Sequence, residues 1–320
     1  IVVRPVEAHH QGHRLAGAFA IGGHDVATAP ATAAEALAQA ARAAELHPLP
    51  FPKPTQYVHS RLRTRNLMGV EFRAGKHGSF QAVRSGMNEH WISARGGGYA
   101  TNTEQHTTFV TARDRRLWQQ SKQVVGEDPI REFPTGIYFE PRPKYILGTH
   151  ELTRREVLNY PTNPAAIFRR LQRETKDFGS DSDREVFVLL NDALRGQILP
   201  AKLRAGLLNT LALVPGVKYE GETKDLAGRP GLAVSRKSTY GTSQLVIFDP
   251  KTSLVLGERE ILIKKSREFR GWPVGTVIGE STTLLTEVVD QLPLAKRKKL
   301  LQAKRQRMQE LRSQSQAGQG

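Results

Sequence analysis

The sequence predicts an α+β fold built on a large, mostly antiparallel sheet with helices packed on one face. Three observations lead there. Period-two alternation of apolar and polar residues recurs through 56–105 and again through 217–289. Between those stretches, 163–214 carries three amphipathic helical stripes. Strands, then helices, then strands is the element order of an α+β domain.

Taken in order, residues 1–30 are dominated by His, Gly and Ala and sustain no period, so they read as an extended linker. The domain proper is expected over 31–292, followed by a basic tail over 293–320. Thr32 and Glu35 form a T-x-x-E capping box opening an Ala-rich helix. Pro48, Pro50, Pro52 and Pro54 end that helix. Val58, Ser60, Leu62 and Thr64 alternate with Tyr57, His59, Arg61 and Arg63, as in a strand with one wet face. A hairpin is expected over 88–103, turning at Gly96-Gly97-Gly98. The prolines of 106–160 point to long loops with short strands. Asn163-Pro164 caps the first central helix, and Ser182-x-x-Glu185 is read as a capping box for the second. Pro200 opens the third, with Leu203, Leu207, Leu208 and Leu211 on its apolar stripe. Farther on, Asp249-Pro250 should turn a hairpin between 244–248 and 254–264, with Gly257 as a bulge. A last strand is expected within 276–289.

Composition narrows the function. The chain has 320 residues, 38% hydrophobic, with a mean hydropathy of -0.45, enough for a sizeable core. It has no cysteine, which excludes disulfides, thiolate metal sites and Cys nucleophiles. No run approaches the ~18 apolar residues of a spanning helix. The start at Ile1-Val2-Val3, without Met, is expected of a trimmed fragment whose membrane helix lies upstream. Net charge is +16, and the segment 294–312 holds eight basic residues against Glu310 alone. Lys296, Arg297, Lys298, Lys299, Lys304 and Arg305 are therefore the candidate polyanion-binding residues: anionic lipid or cell-wall polymer suits them. The tail lacks the aromatics that stack on bases, which argues against specific nucleic-acid recognition. A solvated helix fraying into disorder explains the same composition.

Other motifs are weak. His9-His10-Gln11-Gly12-His13 has imidazoles that suit a transition metal, but no nearby carboxylate supports them, and no metal site is assigned. Gly96-Gly97-Gly98 leads into a strand, so it lacks the helix N-terminus of a phosphate cradle. Walker, dinucleotide, H-E-x-x-H and G-x-S-x-G patterns are absent. The expectation is a non-enzymatic chain with no cofactor.

Four segments carry a family resemblance. Pro161-Thr162-Asn163-Pro164-Ala165-Ala166 opens a helix, and Leu211-Ala212-Leu213-Val214-Pro215-Gly216-Val217 closes another. Asp225-Leu226-Ala227-Gly228-Arg229 forms a turn, and the fourth segment runs from Ile247 through Asp249-Pro250-Lys251-Thr252-Ser253 to Glu258. In order and spacing they resemble an actinobacterial family of uncharacterised, membrane-anchored exported proteins encoded beside extracytoplasmic-function sigma factors. The resemblance spans about Pro161 to Leu292, and the basic extension departs from it. It implies a domain outside the cytoplasm, anchored to the cell membrane by an N-terminal helix, and it transfers no catalytic residues. The layout also resembles the lipoprotein-carrier fold of the LolA and LppX kind. That likeness implies a large curved sheet, rolled into a half-barrel around an apolar cavity. The cavity would be lined by Trp91, Tyr99, Phe187, Leu203 and Leu207 and would hold a lipid or peptide.

The first functional expectation is accordingly a binding and sensing domain associated with sigma-factor regulation. A polyanion-binding structural protein and an enzyme with an unrecognised site are the alternatives. An apolar cavity, a continuous basic face, or a cleft of converging polar side chains discriminates among the three.

Overall fold

A computed structural model describes residues 30–74, 76–125, 137–139, 145–266, 269, 271–299, 301, 302, 305 and 309. The expected linker, apart from Pro30, lies outside these residues, as do the His9–His13 cluster and Lys304.

Helix α1 (Ala33–Leu46) begins at Thr32, whose side chain and that of Glu35 make the reciprocal capping box. Strands β1 (Tyr57–Ala74) and β2 (Lys76–Ser93) are each 18 residues long and pair antiparallel along their whole length. β2 turns through Gly96-Gly97 into β3 (Gly98–Phe109), the hairpin expected from the sequence. Helix α2 (Ala112–Val125) stands where loops were expected. Its signal was present as Thr111-x-x-Asp114: the Asp114 amide donates to Thr111 Oγ1, and the Asp114 carboxylate accepts from the amides of Thr111 and Gln81. Short strands β4 (Ile137–Phe139), β5 (Tyr145–Leu147) and β6 (His150–Leu152) follow, then the single-turn helix α3 (Arg154–Leu158).

The central helices are α4 (Pro164–Thr175), α5 (Ser182–Arg195) and α6 (Ala201–Leu211). Asn163 caps α4 as expected. The α5 cap is Asp181 rather than Ser182, and its carboxylate accepts from the Arg184 amide. One residue of shift matters, because Asp181 also receives Arg236 at 2.8 Å with both side chains nearly buried. Gly206 of α6 meets the chain leading into α4: a Cβ there would lie 2.4 Å from the Thr162 carbonyl oxygen. The remaining strands are β7 (Val217–Lys224), β8 (Pro230–Lys237), β9 (Thr242–Phe248), β10 (Val255–Leu262) and β11 (Val277–Val289). β9 and β10 pair antiparallel across the Asp249-Pro250 turn, with the register shift at Val255–Gly257.

Among the described residues nine strands form one antiparallel sheet in the order β4-β3-β2-β1-β11-β10-β9-β8-β7, and β5 and β6 pair separately. The α+β class and the large antiparallel sheet with helices on one face stand. The curved half-barrel does not: the sheet is neither closed nor curled, and among the described residues β4 and β7 are its two edges. The reason is packing. α1 and α3–α6 set Leu37, Ile167, Leu171, Phe187, Leu190, Leu194, Leu203 and Leu207 directly against Val234, Val246, Phe248 and Val255 in one continuous core. Side chains, not an enclosed cavity, occupy the space a rolled sheet would wrap.

Alternation assigns the two faces. Val246 belongs to the helix-facing core, so its cross-strand partners Val234 and Glu258 share that face, as do Ser281 and Thr64 beyond them. The opposite, outer face carries Ala233, Leu245, Ile247 and Leu256 on one half of the sheet. Toward the other half it carries Leu67, Ile278 and Val83, and then Trp91, Tyr99 and Tyr57.

Candidate functional site

Phe187, Leu203 and Leu207 lie fully buried in the main core, while Trp91 and Tyr99 lie in a separate cluster on the outer face with Leu292. The structure does not bring the two sets together. Of the basic residues, Lys296 is held on the outer face, its Nζ 4.6 Å from the Trp91 ring centroid and 3.6 Å from Glu89 Oε2. Arg297, Lys298, Lys299 and Arg305 are exposed. The same outer cluster holds His59, stacked on Trp91 at 4.7 Å and bonded at 2.9 Å to both Glu89 and Glu287.

A cleft of about 320 Å³ opens elsewhere, between α5 and the central strands. Two cross-strand rows make its floor: Glu258, Ser281 and Thr64, and beside them Gln244, Glu260, Gly279 and Asn66. Gly279 is the low point of that floor, since a Cβ there would press to 3.3 Å from Asn66 Oδ1 and 3.6 Å from Glu260 Cβ. Arg184, Val188 and Arg195 form the roof; at helical spacing they fall on one stripe of α5.

Glu258 is the chemically unusual member. It is 8% exposed; Arg195 Nη1 donates to its Oε2 at 2.5 Å, while Oε1 is buried without a hydrogen-bond partner. Burial pushes its carboxyl up from the ordinary value, against the pull of the Arg195 guanidinium. Arg195 divides its fork between Glu258 and Asp192, so it cannot fully compensate the buried charge. Asn191 shares the α5 stripe between Val188 and Arg195; it is fully buried and both amide atoms lack partners. An unpartnered carboxyl oxygen of this kind costs stability unless something donates to it. The cleft thus offers acceptors at its floor (Glu258, Glu260) and guanidinium groups at its roof. Glu260, half-buried, is the carboxylate open to the cleft and can accept from a ligand's ammonium or other hydrogen-bond donor. Glu258 Oε1 is shut off from it, so a donor reaches Glu258 only when neighbouring side chains shift.

None of these residues was singled out from the sequence for the site, although Glu258 ended the segment carrying the family resemblance. A signal existed: Glu258 and Glu260 occupy the helix-facing positions of a strand that begins Val255-Leu256, so charge falls where the pattern calls for apolar residues. Among the described residues no group of three or more potential ligands forms a metal site, and no helix is long and apolar enough to cross a membrane.

No family model and no curated protein matches the chain. Among solved structures it is similar to the crystal structure of a DUF1329 family protein from Desulfovibrio piger. Identity is 11%, the match covers 79% of this chain and 90% of that one, and the TM-score is 0.18. A superposition that loose carries no argument about fold or function.

Proposed function

We propose that this chain is a binding module that takes a small polar ligand, bearing an ammonium or comparable donor group, in the cleft between α5 and the central strands. The observation that carries this reading is the pair of carboxylates in the cleft floor. Glu260 is half-buried and open to the cleft; beside it Glu258 is nine-tenths buried, with one oxygen unsatisfied just behind the surface and ready to accept once a ligand displaces its neighbours. Charged and amide side chains around them favour a polar ligand over an acyl chain. Membrane anchoring outside the cytoplasm and association with a sigma factor belong to the same proposal, on the strength of the sequence resemblance alone; ligand occupancy would then be the signal sensed.

The experiment is thermal unfolding against amino acids, polyamines and neutral sugars, with wild type and Glu258→Gln in parallel. Binding to the native state raises the melting temperature by mass action. An ammonium-bearing class that stabilises wild type and loses its effect in Glu258→Gln supports the reading. Equal stabilisation of both proteins, or of neither by any class, overturns it.

A further inference from the structure

The outer face of the sheet lies on the side away from the cleft. Arg61, Arg63 and Arg65 alternate along β1, and all three side chains are exposed. They lie on the same side as His59 and Leu67, hence opposite the helices, and none makes an ion pair with a described residue. Two-residue spacing in a strand sets them about 7 Å apart. Glu89 and Glu280 stand opposite Arg61 and Arg65 on the same face, but Glu89 is engaged by His59 and Lys296 and Glu280 by Arg259, so the arginine row still presents positive charge outward.

Apolar features flank the row on both sides. Beside Arg65 a hollow of about 290 Å³ is lined by Leu67, Val83, Trp272, Thr276 and Val277. Trp272 is pinned there by its Nε1 donating to Gln81 Oε1 at 2.9 Å, and Val274 at the neighbouring turn is 54% exposed. On the other side, Arg61 faces Glu89 across β2, and Glu89 receives Lys296. That contact, with buried Leu292, seats the start of the tail helix on the outer face. Residues 294–299, 301 and 302 are helical, and Leu294 and Leu301 are 69% and 48% exposed. Seven residues apart, they share a stripe with Arg297 and Lys298 between them.

We propose that the outer face and the tail helix together form a docking surface for an anionic lipid bilayer. Guanidinium and ammonium groups attract the headgroup phosphates. Leu294, Leu301 and Val274 enter the interfacial region as the apolar side of a surface-lying element does. The hollow beside Arg65 takes an acyl segment next to its own headgroup charge. A nucleic acid has no use for the exposed leucines or the apolar hollow, and a single half-buried Trp272 among the described residues of this hollow is no run of stacking platforms for successive bases. The surface stands apart from the Glu258 cleft, so each proposal can fail without the other.

The test uses the full chain, with vesicles of phosphatidylcholine alone or mixed with phosphatidylglycerol, sedimented across a salt series. Co-sedimentation with the mixed vesicles only, weakening as salt rises, is expected. Arg61→Gln, Arg63→Gln and Arg65→Gln combined should cut that partitioning roughly a hundredfold, while the circular-dichroism melt stays at the wild-type temperature. Lipids brominated on the acyl chain should quench tryptophan emission in wild type and not in Trp272→Phe. Three results overturn the proposal: sedimentation equal with neutral vesicles, partitioning unchanged in the triple variant, or binding to a short single-stranded DNA without binding to vesicles.

Discussion

Strands β7 to β10 present Tyr219, Val234, Val246, Phe248 and Val255 to a layer of helices, whereas β1 presents Arg61, Arg63 and Arg65 to solvent on its outer side. The contrast continues on the helix-facing side. Following one cross-strand row from β8, the residues are Val234, Val246, Glu258, Ser281 and Thr64. The row passes from apolar to polar at Glu258, where Arg195 at the last turn of α5 meets it. The cleft therefore lies at a border, where the close-packed layer of α1 and α3–α6 ends and the strands run on, polar at Ser281 and Thr64, before α2 covers Phe80 and Ala82 farther along β2. In the half under α1 and α3–α6, one large side-chain core holds the fold together. In the other, backbone pairing along two 18-residue strands does, assisted by small clusters such as Trp91–Tyr99–Leu292 and Phe80–Ala82 beneath Leu117 and Trp118 of α2.

Substitutions in the two halves should differ sharply in cost. The largest effect is expected at Asp181. Burial pushes its carboxyl up, but Arg236 and the amides of Thr239 and Arg184 outweigh that and hold it below its ordinary 3.8. Asp181→Ala removes a helix cap and leaves Arg236 unpaired where it is barely solvated, which should cost about 3–5 kcal/mol in urea unfolding. The folded carboxyl titrates below the unfolded one. Its contribution is therefore complete above that ordinary value and is lost as pH falls through the folded one, so the gap between wild type and Asp181→Ala should narrow in acid. A gap that widens in acid would refute the pairing.

Leu207→Ala should follow closely. Leu207 is 2% exposed in the main core, and truncation there costs roughly 2–5 kcal/mol; a melting temperature within error of wild type contradicts the packing described.

At the border, Glu258→Gln should change a slope more than a midpoint. A carboxyl raised on folding makes the native state bind more protons, so wild type loses stability as pH rises from 4.5 through the raised range. Measured relative to Glu258→Gln, that loss should appear as a falling difference; a flat difference means that Glu258 is not desolvated.

In the half outside the main core, Arg63→Gln should leave stability within about 0.5 kcal/mol of wild type, as for an exposed side chain without a partner. A larger loss would show that the arginine row supports the sheet rather than facing an external surface.

How much of this was legible depended on how local each signal was. The capping pairs at Thr32–Glu35 and Asn163–Pro164, the leucine stripe of α6 and the Asp249-Pro250 hairpin were all readable, because each rests on residues within a turn or two of one another. Helix α2 escaped notice because its interior, Arg113 to Val125, is strongly polar and the prolines nearby suggested loops; only the Thr111–Asp114 cap announced it. The rolled sheet was an inference from likeness, and it failed because nothing in a strand's own alternation says whether its sheet will close.

The sequence by itself determined the type of most elements, though not α2, and the apolar sides of α4 and α5, since side-chain periodicity and capping act over a few residues. Helix α6, buried nearly all round, shows more than its leucine stripe. Only the tertiary structure decided that Tyr57 pairs with Val289, uniting the two strand-rich regions in one sheet. It also decided that Arg195 reaches Glu258 from 63 residues away. Both depend on which surfaces the packed helices leave uncovered. Whether a carboxylate is buried is set by neighbours distant in the chain, and so the site, unlike the helices beside it, became visible only once the chain was folded.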